Sequence, residues 1–242
     1  MSFRLPAQAE KAEYVLNQFD RIARHYDLTN DVISLGMHRL WKKVAVDALA
    51  LKPGGSYLDV CCGTGDLALT IAKRLSLGGK VTGIDFSQNM LDLAKRRAAR
   101  QKNGSAVIEW LQADAQRLPF DNNSFDGAII SFGLRNLSSL DKGLAEMARV
   151  VKPQGRVVNL DLGHPDTPIF TPVYQFYFQN IVPLMGQVLA GDRKAYTYLP
   201  SSLETYPRPE GVTRLFADAK LIDIVYQPLA FGSVALHKGT VA

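Results

Sequence analysis

Apolar residues recur at a helical period between Ala9 and Arg24, at Val15, Leu16, Phe19 and Ile22. A second helix is expected from about His38 to Leu49, ending before Lys52-Pro53-Gly54-Gly55. From there strands and helices alternate. Ser56–Cys61 reads as a strand, Asp66–Leu75 as a helix and Lys80–Asp85 as a second strand. Ser87 offers a capping oxygen to a helix running to about Arg100. Strands follow at Ala106–Leu111 and Phe125–Ser131, a helix from Asp141 to Val150 stops at Lys152-Pro153, and Arg156–Asp161 is a fifth strand. Leu221–Gln227 and Phe231–Lys238 read as an antiparallel pair joined at Pro228. Such alternation with tight glycine turns predicts an α/β fold: a doubly wound, mainly parallel, seven-stranded Rossmann-like sheet with helical additions. Ligands of such sheets sit beyond the carboxyl ends of the strands.

Composition changes this picture little. The chain has 242 residues, 47% hydrophobic and 21% charged, enough for a core without metal or disulfide staples. Its two cysteines, Cys61 and Cys62, are sequence neighbours and cannot form an ordinary long-range disulfide, which suggests a reducing, cytoplasmic setting. The first residues lack the apolar run of a secretory signal. A net charge of +5 is modest, and the cluster Lys95, Arg96, Arg97, Arg100 and Lys102 reads as a solvated helix end. No aromatic residues interleave it, so a nucleic-acid partner is not expected.

Thr167 to Gly191 carries no formal charge. It has the length of a membrane span, about 20 residues, but Pro172 and Pro183 interrupt it and Gln175, Gln179, Asn180 and Gln187 are scattered through it. A pair of helices covering the sheet is expected. The same stretch could serve as an apolar lid for a greasy substrate, or touch a bilayer surface.

Residues 58–66, LDVCCGTGD, run a strand into a glycine turn, and Gly63 to Ala68 fit the dinucleotide fingerprint G-x-G-x-x-(G/A). An NAD(P)-dependent oxidoreductase is therefore one reading. A dinucleotide, however, sets a pyrophosphate on such a turn, and here Asp59 precedes it and Asp66 follows. Carboxylates so close oppose a diphosphate and favour a cation such as S-adenosylmethionine. Unit charges about 4 Å apart attract by roughly 4 kcal/mol at an intermediate dielectric. Asp85, ending the second strand, suits ribose hydroxyls of either cofactor. Asp114 could accept from the adenine amino group, with small Ala115 admitting the ring. A Tyr-x-x-x-Lys pair after strand four, which an oxidoreductase would want, is missing.

The spacing of the glycine turn, Asp85 and Asp114 resembles the class I S-adenosylmethionine-dependent methyltransferases. Further segments narrow the resemblance to the ubiquinone/menaquinone biosynthesis methyltransferases (the UbiE/MenG family). They are Tyr26-Asp27-Leu28-Thr29-Asn30-Asp31-Val32-Ile33-Ser34 with His38 and Trp41, then Phe132-Gly133-Leu134-Arg135-Asn136 and Arg149-Val150-Val151-Lys152-Pro153. Ala195-Tyr196 with Tyr198-Leu199-Pro200-Ser201-Ser202 completes the set, which spans roughly residues 19 to 211. The chain departs from the family at Thr29, usually Met, at Gln154, usually Gly, and at Asp161-Leu162-Gly163, usually Glu-x-Ser. Asn159–Pro165 and the segment AFGSVALHKG look most like the branch that methylates the phylloquinone precursor, a 2-phytyl-1,4-naphthoquinol, with demethylmenaquinol or a ubiquinol precursor as the alternative acceptor.

The resemblance implies one domain. Residues 1–50 would form a helical lid, 51–165 the cofactor-binding core, 166–220 a helical insertion over the substrate, and 221–242 the strand pair. It implies methyl transfer to a ring carbon of a prenylated naphthoquinol, without a metal because the methyl donor is already activated. Asp59, Gly63, Thr64, Gly65, Asp85, Asp114, Ala115 and Ser131 are expected around the cofactor. Arg135 and Asn136 face the substrate space, Arg135 otherwise pairing with an acid such as Asp141. Tyr26, Asn30 and His38 belong to the lid, with His38 and His164 as candidate bases. A peripheral membrane contact and a homodimer stay open. A non-catalytic scaffold binding S-adenosylmethionine for stability is the alternative outside enzymes.

Overall fold

The computed structural model describes residues 10–23, 25–75, 78–100, 106–191 and 193–242. Ala9, Arg24 and Lys102, named above, lie outside them, as does the side chain of Ala195. Three helices come first: α1 (Lys11–Ile22), α2 (Tyr26–Ile33) and α3 (His38–Ala48). The alternating part follows as β1 (Ser56–Val60), α4 (Asp66–Arg74), β2 (Lys80–Asp85), α5 (Gln88–Arg100), β3 (Val107–Gln112), β4 (Phe125–Ser131), α6 (Leu140–Val150) and β5 (Val151–Leu162). Next come α7 (Phe170–Phe176), a π turn (Tyr177–Ile181), α8 (Val182–Ala190), α9 (Arg193–Glu204) and α10 (Pro209–Asp218). The strands β6 (Leu221–Leu229) and β7 (Val234–Val241) close the chain.

The seven strands lie in the order β3-β2-β1-β4-β5-β7-β6, parallel except for β7, which runs antiparallel to both neighbours. Side chains alternate between faces at a period of two. Leu58, Val60, Ile84, Ala128 and Ile130 pack on one side with α6 and α10; Tyr57, Val81, Ile129 and Val158 pack on the other with α3 and α4. The chain winds outward from β1 and then crosses back to β4. That reversal opens a crevice at the carboxyl ends of β1 and β4, where such sheets hold ligands.

Two boundaries differ from the sequence reading. Strand β5 starts at Val151 and takes in Lys152-Pro153, because Gln154 turns through a left-handed conformation (φ 64°) and a register shift opposite Phe125 absorbs the extra residues. Pro228 sits inside β6 opposite Ala235, and the joint lies at Ala230–Gly232. The stretch expected to be a broken pair of helices runs from Phe170 to Ala190 through the π turn. Pro172 falls in the first turn of α7, where its missing N–H costs nothing. Pro183 cannot donate to the carbonyl of Gln179, and the helix widens into the π turn just before it. Among the described residues no helix is long and apolar enough to cross a membrane.

Candidate functional site

Two clefts meet at the crevice. The first, about 820 Å³ including space open to solvent, is lined by Gly63, Asp85, Asp114, Ala115 and Ser131, with Phe86 and Met90 below and Ala12, Val15 and Phe19 of α1 above. The second, about 1690 Å³, lies between α2, α7 and the turn after β4; Arg135, His38, Asn30, Tyr174, Phe178 and Tyr198 are among its walls. Phe19, Tyr26, Phe132 and Asn136 line both.

Asp85 ends β2 facing the first cleft. Its Oδ2 accepts the N–H of Gly63 at 2.8 Å and its Oδ1 that of Ser87 at 2.9 Å. Burial pushes its carboxyl above the usual carboxylate range, against those two bonds. Asp114 Oδ1 accepts from the Gln116 N–H at 2.9 Å, fixing the loop after β3. The Ser87 hydroxyl caps α5 at the Met90 N–H as expected, and itself donates to Asp20 of α1. Lys11 of the same helix donates to the carbonyls of Arg135 and Leu137, both at 2.8 Å. Helix α1 is thereby tied across the first cleft at both ends.

Asp59, Thr64 and Gly65 do not line either cleft. Asp59 is 1% exposed and accepts the Ala68 N–H at 2.9 Å, serving the start of α4. Burial raises its carboxyl to about 8, so it carries a proton at neutral pH. Asp66 is engaged by Lys42 (2.8 Å) and by Arg97. The charge argument for a cationic cofactor therefore fails at both carboxylates, and the acids that face the cleft are Asp85 and Asp114. Thr64 donates to Asp27 of α2 at 2.7 Å. Arg97, read above as solvated, bonds Thr64, Asp27 and Asp66 together. Gly65 is needed because its φ is +83° and a Cβ there would stand 2.6 Å from the Trp110 ring. Burial lifts both cysteine thiols well above their ordinary value, so neither is a thiolate.

In the second cleft Arg135 pairs with Asp161, not with Asp141, which binds Ser139. Its Nη1 also donates to the Phe132 carbonyl at 2.8 Å, and its backbone N–H reaches Asp161 Oδ2 at 3.1 Å. Burial works against the guanidinium charge, but the Asp161 carboxylate carries Arg135 above its ordinary value. Asn136 Nδ2 donates to the Phe132 carbonyl at 3.2 Å, which fixes the amide and turns Oδ1 the other way. Arg135 Nε and Asn136 Oδ1 are buried without partners among the described residues. His38 lines the cleft with Nδ1 on the Ser34 hydroxyl (2.7 Å) and Nε2 3.5 Å from Asp31; burial, then Lys42, hold it below its ordinary pKa. His164 lines neither cleft, its Nε2 lying 3.0 Å from the Tyr206 carbonyl. Asp161 and Tyr174 were missed from the sequence. Asp161 lies at the end of a strand as Asp85 does, and Tyr174 lies in the uncharged stretch.

The first cleft fits S-adenosylmethionine on its own groups. Ser131 Oγ is buried with no partner among the described residues, Gly63 leaves open space where a side chain would stand, and Asp85 and Asp114 offer acceptors. The chain is 45% identical over 230 residues to a demethylmenaquinone methyltransferase of Desulfitobacterium hafniense (strain Y51), covering 95% of this chain and 90% of that one. It is 36% identical to a mitochondrial 2-methoxy-6-polyprenyl-1,4-benzoquinol methylase of Oryza sativa subsp. japonica, covering 98% and 86%. A SAM-dependent methyltransferase of Thermotoga maritima shares the fold at a TM-score of 0.64 and 16% identity, covering 94% of this chain and 99% of that one. The sequence matches the ubiE/COQ5 methyltransferase family over residues 7–241. With the class I fold, a cleft that fits S-adenosylmethionine and this match over nearly its whole length, the chain belongs to the ubiE/COQ5 methyltransferase family and draws its methyl group from S-adenosylmethionine.

Proposed function

We propose that the chain methylates a ring carbon of a prenylated naphthohydroquinone, with demethylmenaquinol as the substrate type. The relative named for demethylmenaquinone is the more similar of the two described above, which favours a naphthoquinol ring over a benzoquinol one, and neither relative is named for the phytyl substrate expected from Asn159–Pro165. The observation that carries the reading is the pair of orphaned atoms on neighbouring residues of the second cleft, Arg135 Nε–H and Asn136 Oδ1. A buried polar group left unmatched costs about 1–3 kcal/mol, so these two call for a ligand that both accepts and donates. A phenolic hydroxyl beside the accepting carbon does both.

S-adenosylmethionine, held by Asp85, Asp114, Ser131 and the Gly63 turn, supplies an electrophilic methyl group when bound. The protein's part is positioning. Asn136 accepts the phenolic O–H, and the Arg135 guanidinium, kept in place by Asp161, stabilises the oxygen as its proton passes to neutral His38 on the same cleft. The ring carbon that gains the methyl group gives up its own proton to restore the phenol, so that one proton is released overall. Helix α1 and Tyr26 exclude water from the junction. We assign the exposed apolar residues Ile169, Phe176, Leu184 and Val188 to the bilayer that carries such a substrate. Replacing Asn136 by Leu tests the reading. Methyl transfer to a reduced short-chain demethylmenaquinol is expected to fall about 100-fold or more, with S-adenosylmethionine affinity by calorimetry changed less than about threefold. Undiminished turnover in that variant would remove Asn136 from the site.

A further inference from the structure

One more buried polar atom on the second cleft is unmatched. The Tyr174 hydroxyl has no partner among the described residues, although its ring lines the same cleft as Arg135 and Asn136. Burial holds this phenol well above its ordinary value, so it is a neutral donor at any working pH, and it lies close enough to feel the Arg135 charge. Its position is fixed on both faces. The ring stacks on Phe178 at 5.1 Å and on Phe170 at 5.9 Å, and Phe170 in turn meets Phe231 at 5.1 Å. This aromatic row runs from Phe178, which is buried, to Phe231, which is 74% exposed at the cleft's edge. Tyr174 thus stands where a polar end of the cleft gives way to an apolar track leading outward.

We infer that the Tyr174 hydroxyl is a substrate-positioning group that hydrogen-bonds the second ring oxygen of the quinol, the one beside the prenyl chain. This rests on the quinol reading above. Two oxygens on opposite sides of the ring then have separate partners, Arg135 with Asn136 at one and Tyr174 at the other. The prenyl chain, attached next to the second oxygen, starts along the row Tyr174, Phe170 and Phe231. A ring lacking that oxygen leaves the Tyr174 hydroxyl unmatched, which makes the residue a determinant of specificity for para-dioxygenated rings.

The test pairs one substitution with one missing oxygen. Wild-type protein and Tyr174→Phe are assayed with a dimethylallyl naphthohydroquinone and with its analogue lacking the hydroxyl beside the dimethylallyl group. Wild type is expected to favour the hydroquinone by about five- to tenfold in kcat/KM, the worth of one hydrogen bond. Tyr174→Phe loses that factor on the hydroquinone, mostly through KM, and loses nothing on the analogue, while S-adenosylmethionine affinity by calorimetry is unchanged. An equal loss on both rings, or no loss on the hydroquinone, overturns the assignment. Wild-type protein that methylates neither ring while binding S-adenosylmethionine overturns the quinol reading itself.

Discussion

Asp59 accepts the Ala68 N–H in a site closed to solvent, where burial lifts its carboxyl from 3.8 to about 8. The folded chain therefore holds a proton there that the unfolded chain gives up. Because the folded-state value is raised for an acid, this group's contribution to stability falls as pH rises from about 4 to about 8, by up to about 1.4 kcal/mol per unit. Asp59→Asn keeps the acceptor for Ala68 and removes the titration. Denaturant melts across that range are expected to show the variant gaining on wild type with rising pH; parallel curves would show that Asp59 is ionised throughout. At this scale Asp85, Asp114 and Ala115 were legible because a position just past a strand's carboxyl end decides what a side chain faces. Asp59 was not, because pattern gives its place in the strand but not whether it turns to ligand or to a helix N–H. The partner of Arg135 was equally hidden, since Asp161 lies 26 residues away and meets it only once β4 and β5 are paired.

The helical run from Phe170 to Ala190 has two apolar sides. Phe178 and Val182 turn inward, 6% and 0% exposed, whereas Phe176 and Val188 face out at 64% and 76%. Uncharged composition announced an unusual element but not this division, because the π turn shifts the helical register between Phe176 and Val182. The two sides predict different failures. Phe178→Leu is expected to lower kcat/KM for long-tailed quinols about five- to tenfold more than for tail-less ones in detergent. Phe176→Ser should leave detergent assays unchanged and lower turnover by a similar factor only when the substrate is presented in vesicles. Equal effects of both substitutions in both assays would mean that the run is simply core. Helix α2 carried the opposite difficulty: Tyr26–Ile33 was legible as a signature, while its helical form and its seat over both clefts required the fold.

Across the whole molecule, a mainly parallel, doubly wound sheet was legible from strand–helix alternation, while the strand order, from which the crevice between β1 and β4 follows, required the fold. The clefts proposed for methyl donor and acceptor meet at Phe19, Tyr26, Phe132 and Asn136, so the proposed transfer takes place at that one junction. The account turns on what crosses that junction and where it lands. Purified protein is incubated with methyl-labelled S-adenosylmethionine and a reduced short-chain demethylmenaquinol, and the label is located by carbon NMR. The account predicts one labelled methyl group on the ring carbon beside the prenyl-bearing carbon. Label on a ring oxygen, or none on the quinol while S-adenosylmethionine still binds, would contradict it.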